Sequence, residues 1–163
     1  MGVLTPLAVR LGSTAWMPRL LPVIERTDSS LQRLTRGRIS LLDLAGLPNL
    51  MLRVPGRSTG IMRATPLLAV RGQTEAHTSW LIAGSYFGNA RTPAWVHNLR
   101  AAIADDRTAD ITIRGKTTTV QARELSGHER ADAWTALLAI WPNFALYEQR
   151  TSRVIPVFRL TAA

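Results

Sequence analysis

A chain of 163 residues without a single cysteine excludes a disulfide framework, a thiolate metal site and a thiol nucleophile. Its 20 basic against 11 acidic residues give a net charge of +9, nearly all of it arginine, because Lys116 is the only lysine. That balance favours anionic partners, whether nucleic acid, acidic lipid or a phosphorylated cofactor, without choosing among them.

A single domain of this length buries roughly 70% of its unfolded surface around one core. No apolar run approaches the roughly 18 residues that span a bilayer. Met1 to Met17 is apolar in flavour, but Pro6 and Arg10 break it and no basic region precedes it, so it reads poorly as a signal peptide. Pro6 also stands where a myristoylation signal wants Ser or Thr. The expectation is a soluble cytoplasmic protein whose redox chemistry, if it has any, comes from a bound cofactor.

Residues 1–46 carry two segments of helical character, Thr5 to Ala15 and Arg19 to Gly37. In the second, Leu20, Ile24, Thr27, Leu31 and Leu34 recur at helical spacing, while Arg19, Arg26, Arg33 and Arg36 fall mostly off that stripe. Such an arginine-edged amphipathic helix either packs on the domain that follows or lies peripherally on an anionic membrane.

The remainder, residues 47–163, reads as one domain. Strands are expected at Asn49 to Val54 and Thr65 to Arg71, flanking the loop Gly56-Arg57-Ser58-Thr59-Gly60-Ile61-Met62-Arg63-Ala64. After a turn at Gly72 to Glu75, Ser79 to Ala83 forms a third strand and enters a loop through Ser85, Tyr86, Gly88 and Arg91. Thr92 is expected to cap a helix, with Pro93 at its first position and Val96, Leu99 and Ile103 on its inner face. Thr108 to Arg114 and Thr117 to Glu124 form a hairpin about Gly115-Lys116. Ser126 to Glu129 has capping-box spacing and opens a helix with the stripe Ala131, Trp134, Leu137, Leu138 and Trp141. Pro142 interrupts it, a short helical piece carries Phe144 and Tyr147, and Val154 to Leu160 closes the chain as a strand. Composition and pattern alone give an α+β class, mainly β, with about six strands and flanking helices.

The chemistry concentrates in two stretches. In Gly56 to Pro66, glycines permit close backbone approach and arginines fork onto phosphate oxygens, although a solvated hairpin has the same look. The second stretch, Thr92 to Leu99, places backbone donors at a helix start. His77, His97 and His128 are too scattered for a metal triad. No stacking motif of a nucleic-acid module is present, and no nucleic-acid partner is expected.

The residues Gly56-Arg57-x-x-Gly60 with Arg63 and Thr65-Pro66, then Ser85 with Gly88, then Pro93-x-Trp95-x-x-Asn98-Leu99, appear in that order. A tail with Trp141-Pro142, Tyr147, Thr151 and Ile155-Pro156-Val157 follows. From about Leu47 to Leu160 the chain resembles the deazaflavin-dependent nitroreductase family, a nitroreductase and quinone reductase family of split β-barrels that use coenzyme F420. The resemblance implies a reductase that transfers hydride from reduced deazaflavin to a quinone, a nitro compound or an enone. It implies that Arg57, Ser58, Thr59, Gly60, Arg63 and Thr65 bind the phosphate and anionic tail of the coenzyme. Ser85, Tyr86, Gly88 and Arg91 would approach the ring and ribityl chain, and Pro93, Ala94 and Trp95 would line the ring edge. Trp141 and Phe144 would form the acceptor pocket, with Tyr147 as hydrogen-bond or proton donor. Ser58 and Tyr86 stand where relatives often carry lysine. Flavin mononucleotide is the less favoured cofactor, and a non-catalytic binder of deazaflavin or of an apolar lipid-like ligand is the alternative.

Overall fold

The computed structural model describes residues 46–72 and 78–163, so the two N-terminal helical segments and most of the turn after Gly72 lie outside the described residues. Seven strands run in chain order: β1 (Asn49–Pro55), β2 (Met62–Leu68), β3 (Val70–Gly72), β4 (Ser79–Ala83), β5 (Ala109–Ile113), β6 (Lys116–Glu124) and β7 (Val157–Ala162). Three helices accompany them: α1 (Ala94–Ala104), α2 (Gly127–Ile140) and α3 (Asn143–Gln149), with a short 3-10 turn at Tyr86–Gly88.

The sheet order is β2-β1-β5-β6-β7-β4-β3, and all pairings are antiparallel. The two edges of this order, β2 and β3, belong to one run of chain interrupted only at Ala69. One half pairs with β1 and the other with β4, so the bent strand joins both edges and six staves close into a barrel. Ala69 is buried at the bend, and its N–H turns aside to the carbonyl of Pro48 at 3.0 Å. Closure removes the free edges that would otherwise template aggregation.

Alternation sorts side chains between two cores. Leu50, Leu52 and Val54 of β1, Ile82 of β4, Ile111 of β5, Val120 of β6, and Phe158 and Leu160 of β7 fill the barrel. Trp95, Val96, Leu99 and Ala102 of α1 complete that core, so α1 plugs one mouth of the barrel. The odd partners of the same strands, Leu81 and Val157, point outward into a second core with Trp134 and Leu137 of α2 and with Phe144 and Tyr147 of α3. The period of two along β4 therefore serves both cores: Leu81 and Ile82 are neighbours in sequence and lie in different cores.

Four local expectations are corrected. Pro93 is itself the N-cap, with extended backbone, and α1 begins at Ala94; Thr92 makes no cap. Ser126 caps α2 by position but makes no side-chain cap bond, and the Glu129 carboxylate that would close a capping box is taken instead by Arg123 at 2.6 and 2.7 Å. On α2 the buried face passes through Ala133, not Ala131, as the stripe follows the helix toward α3. The last strand begins at Val157, since Pro156 has no N–H to give a ladder and Val154 is 75% exposed.

Candidate functional site at the α1 mouth of the barrel

Strand polarity brings the site together. At the mouth covered by α1, β1 stops and β2 starts, β4 stops, and β6 hands over to β7. The loop Gly56 to Ile61, the loop Gly84 to Pro93 and the start of α1 therefore open on the same end of the barrel.

The first loop is a tight turn held from within. Gly60 N–H reaches Gly56 O at 2.7 Å, Thr59 N–H reaches the same carbonyl at 3.2 Å, and Gly56 N–H donates to Ile61 O at 2.9 Å. The Ile61 N–H is turned toward Thr59 Oγ1 at 3.4 Å. The Arg57 N–H leaves the loop and donates to Oδ1 of Asn98, a buried side chain on α1, at 3.2 Å. Most N–H groups of the turn are thus engaged, and what it shows to solvent is the side chains of Arg57, Ser58 and Thr59 and the bare edge of Gly60. Arg63 stands opposite Val54 in the ladder, so it springs from the inward face of β2 at the rim. Its Nε lies 3.8 Å from where a Cβ on Gly56 would stand, which folds the guanidinium over the turn. That imagined Cβ would also meet Thr59 Oγ1 at 2.9 Å, so any larger residue at 56 would push the Thr59 side chain aside. Thr65, half-buried, faces inward one step deeper, opposite Leu52.

The second loop is unusual in its backbone. Tyr86, Phe87 and Gly88 have φ of 48°, 54° and 79°, three successive residues in the left-handed region. Gly88 is pressed on α3: a Cβ there would lie 2.7 Å from Tyr147 O and 3.0 Å from Tyr147 Cα. Ser85 is buried, Tyr86 is half-buried, and Asn89 Oδ1 accepts the Arg91 N–H at 2.9 Å. Arg91 itself is exposed. Pro93 is buried and Ala94 exposed at the start of α1; no carbonyl within the helix accepts the N–H groups of Ala94 and Trp95. The Trp95 ring turns the other way into the barrel, 5.8 Å from the Phe158 ring. The site therefore has the main chain of Trp95, and the core has its indole.

The aromatic triplet is brought together in the second core. Trp141, Phe144 and Tyr147 are all buried, Trp141 Nε1 donates to the Tyr147 hydroxyl at 3.3 Å, and the Phe144 and Tyr147 rings meet edge to face at 6.1 Å. Phe87 joins them, 5.5 Å from Tyr147, which links the triplet to the second loop. Burial pushes the Tyr147 phenol above its ordinary range, against the opposing pull of Trp141, Arg150 and Asn143, so the hydroxyl keeps its proton at neutral pH.

The electrostatics of the mouth follow from which arginines are neutralised. Among the described residues, Arg100, Arg107, Arg123, Arg130 and Arg159 have carboxylate partners, and Arg57, Arg63 and Arg91 at the mouth have none. Two exposed guanidinium groups over a glycine turn, beside open helix-start N–H groups, suit a phosphodiester and carboxylate chain joined to a ring with carbonyl oxygens. The donor set fits a phosphorylated deazaflavin. Two residues with clear structural parts were not singled out as site residues from the sequence: Asn98, which ties the first loop to α1, and Arg153, which holds the second loop from α3's far side. An isolated arginine between Ser152 and Val154 has no periodicity to mark it.

The fold is a closed antiparallel barrel, and its α1 mouth carries exposed arginines beside open helix-start N–H groups. A family model, F420H(2)-dependent quinone reductase, matches residues 24–162. Curated F420H(2)-dependent quinone reductases of Mycobacterium tuberculosis, from strains H37Rv and CDC 1551, are each 31% identical over 150 residues, covering 90% of this chain and 95% of the relative. A solved F420-H2 dependent reductase (FDR-A) superposes with a TM-score of 0.58 at 28% identity, covering 69% of this chain and 93% of that one. A second solved structure, described as a domain-swapped dimer, has a TM-score of 0.61 at 28% identity over 85% of this chain and 96% of its own. The chain belongs to the F420H(2)-dependent quinone reductase family, oxidoreductases that use coenzyme F420. No described helix is long and apolar enough to cross a membrane.

Proposed function

We propose that this chain is an F420H2-dependent reductase that delivers hydride to a quinone, with nitro compounds and enones as further acceptors of the same electron-poor class. The observation that carries this reading is the pair Arg57 and Arg63, which have no carboxylate partner among the described residues, over a turn tied by Asn98 to the start of α1. The cofactor supplies the hydride when bound, and the protein contributes position and electrostatics.

In this reading residues 47–163 form the cofactor-binding barrel, and residues 1–46 are a helical segment that packs on it or touches the membrane surface. Arg57 and Arg63, with the hydroxyls of Ser58, Thr59 and Thr65 and the open edge of Gly60, hold the phosphate and the anionic tail. Arg91, Ser85, Tyr86 and Gly88 border the ribityl side, and Pro93, Ala94 and Trp95 offer main-chain contacts to the ring edge. Trp141 and Phe144 shape the acceptor side. Tyr147 is the hydrogen-bond or proton donor toward the reduced acceptor, a hydroxyl kept protonated by its burial. The absence of two cations, at Ser58 and at Tyr86, supports one alternative, a binder of deazaflavin or of an apolar lipid-like ligand without turnover.

Fluorescence titration with coenzyme F420, in parallel with flavin mononucleotide, tests the assignment in the native chain and in R57A and R63A variants. Loss of one charge-assisted contact costs about 1.5–3 kcal/mol, so each variant is expected to bind F420 at least about tenfold more weakly. Turnover of menadione by F420H2 separates the reductase from the binder. Saturable flavin mononucleotide binding with none for F420 overturns the cofactor assignment.

A further inference from the structure

Among the described residues, Arg153 has no carboxylate partner. It lies in the connection between α3 and β7, where its Nη2 donates to Ser85 O at 2.8 Å and its Nε to Asn89 O at 3.0 Å. It forms no ion pair with a described carboxylate, and its Nη1 is buried without an acceptor among the described residues. Burial lowers the pKa of this guanidinium, and no described carboxylate offsets the cost.

The two carbonyls that it grips bracket the left-handed run Tyr86, Phe87 and Gly88. Non-glycine residues in that region cost about 1–3 kcal/mol each, so the conformation persists only where its surroundings over-determine it. Gly88 against the Tyr147 backbone and the Phe87 ring on Tyr147 restrain the run, as do the bonds from Gly88 N–H to Ser85 O at 3.0 Å and from Asn89 N–H to Tyr86 O at 2.9 Å. The Arg153 fork adds a restraint from outside the loop. A planar guanidinium reaches two carbonyls at once from a fixed geometry, which a single ammonium does not reproduce. The restraint also passes onward, since the Asn89 whose carbonyl Arg153 holds uses its own Oδ1 to take the Arg91 N–H.

We propose that Arg153 is a positioning residue of the F420 site: it locks the Ser85 to Asn89 loop in its left-handed form and thereby sets Ser85, Tyr86 and Arg91 for the cofactor. The part of this inference that concerns the cofactor rests on the function proposed above, and the part that concerns the loop stands without it.

The test uses R153A and R153K in the full chain, with R123A as a control arginine whose fork goes to Glu129 and not to the loop. Hydrogen exchange of residues 85–91 is read without any ligand, and F420 affinity is read by fluorescence. In R153A the loop amides are expected to exchange about tenfold faster while the barrel strands keep native protection, and F420 to bind about tenfold more weakly. Added guanidinium ion restores part of both effects in R153A, R153K stays impaired, and R123A matches the native chain. Unchanged loop exchange, or a uniform rise across the whole barrel, overturns the positioning role. Faster loop exchange with native F420 affinity overturns its link to the cofactor. Failure of the native chain itself to bind F420 overturns the proposed function and with it the cofactor link, and exchange then decides the loop role alone.

Discussion

Oδ1 of Asn98 accepts the backbone N–H of Arg57 at 3.2 Å, a bond between residues 41 apart in sequence that fixes the first loop against the first turns of α1. Asn98 is only 7% exposed, so the acceptor side of the bond is held in a buried setting while Arg57 stays exposed. Replacement by alanine is expected to cost about 1 kcal/mol of stability and to weaken F420 binding severalfold, since the cradle loses its register with the helix start. N98D, which keeps the acceptor oxygen, is expected to lose less affinity than N98A. Urea denaturation and cofactor titration on the two variants check the order.

Gly88 and Gly60 both have positive φ, yet they predict different costs. A methyl group at Gly88 meets the Tyr147 backbone and Arg150 Cβ at 2.7 Å, while at Gly60 nothing lies within 4 Å. G88A therefore adds overpacking to strain and is expected to lose roughly 3 kcal/mol or more. G60A carries the strain alone, about 1 kcal/mol. Equilibrium unfolding of both variants measures the difference.

Trp95 divides its labour between side chain and main chain. Because its ring packs on Phe158 in the barrel core, W95F is expected to cost about 1–2 kcal/mol, below the roughly 3–5 kcal/mol of truncation to alanine. Its N–H is unchanged by the substitution, so F420 affinity is expected to stay within about twofold of native. A large loss of affinity in a folded W95F would place the indole itself at the cofactor.

Tyr147 makes stability sensitive to alkaline pH. Its folded pKa is raised above the ordinary 10.0, chiefly by burial, so the folded protein holds this proton longer than the unfolded chain does. The contribution is complete below the unfolded value and is lost as pH rises through the folded one. Unfolding followed from about pH 8 to about pH 11 is expected to show falling stability at the upper end, a slope that Y147F reduces. The phenolate absorbance in a Y86F background reports Tyr147 directly. If Y147F also slows turnover without changing F420 affinity, the hydroxyl serves the acceptor; unaltered turnover leaves it the part of holding Trp141 and α3.

Ser126 predicts a small effect where its spacing predicts a large one. An N-cap serine that bonds the helix contributes about 1 kcal/mol, but this hydroxyl makes no cap bond. S126A is accordingly expected to change stability by less than about 0.5 kcal/mol in thermal or urea unfolding.

The sequence by itself determined the order of most strands and helices and the class of fold, because the apolar density of Leu50, Met51 and Leu52, the alternation of Ile111, Ile113, Val120 and Ala122, and turn chemistry at Gly115 are local properties of the chain. It left Met62 to Ala64 of β2 in the loop. The ordered motifs from Gly56 to Val157 also pointed to the deazaflavin reductases, whose family model the chain matches. Tertiary structure decided what local pattern does not encode. Only closure of the barrel through the bend at Ala69 puts the loops after β1 and β4 at one mouth, since their meeting depends on strand pairing across the sheet. Only the packed fold shows that the Glu129 carboxylate leaves the cap for Arg123, a contact between two elements that competes successfully with one inside a helix turn. The same holds for Asn98 and Arg153: each acts on a loop 41 or more residues away, and no period within either residue's own segment records a partner at that distance.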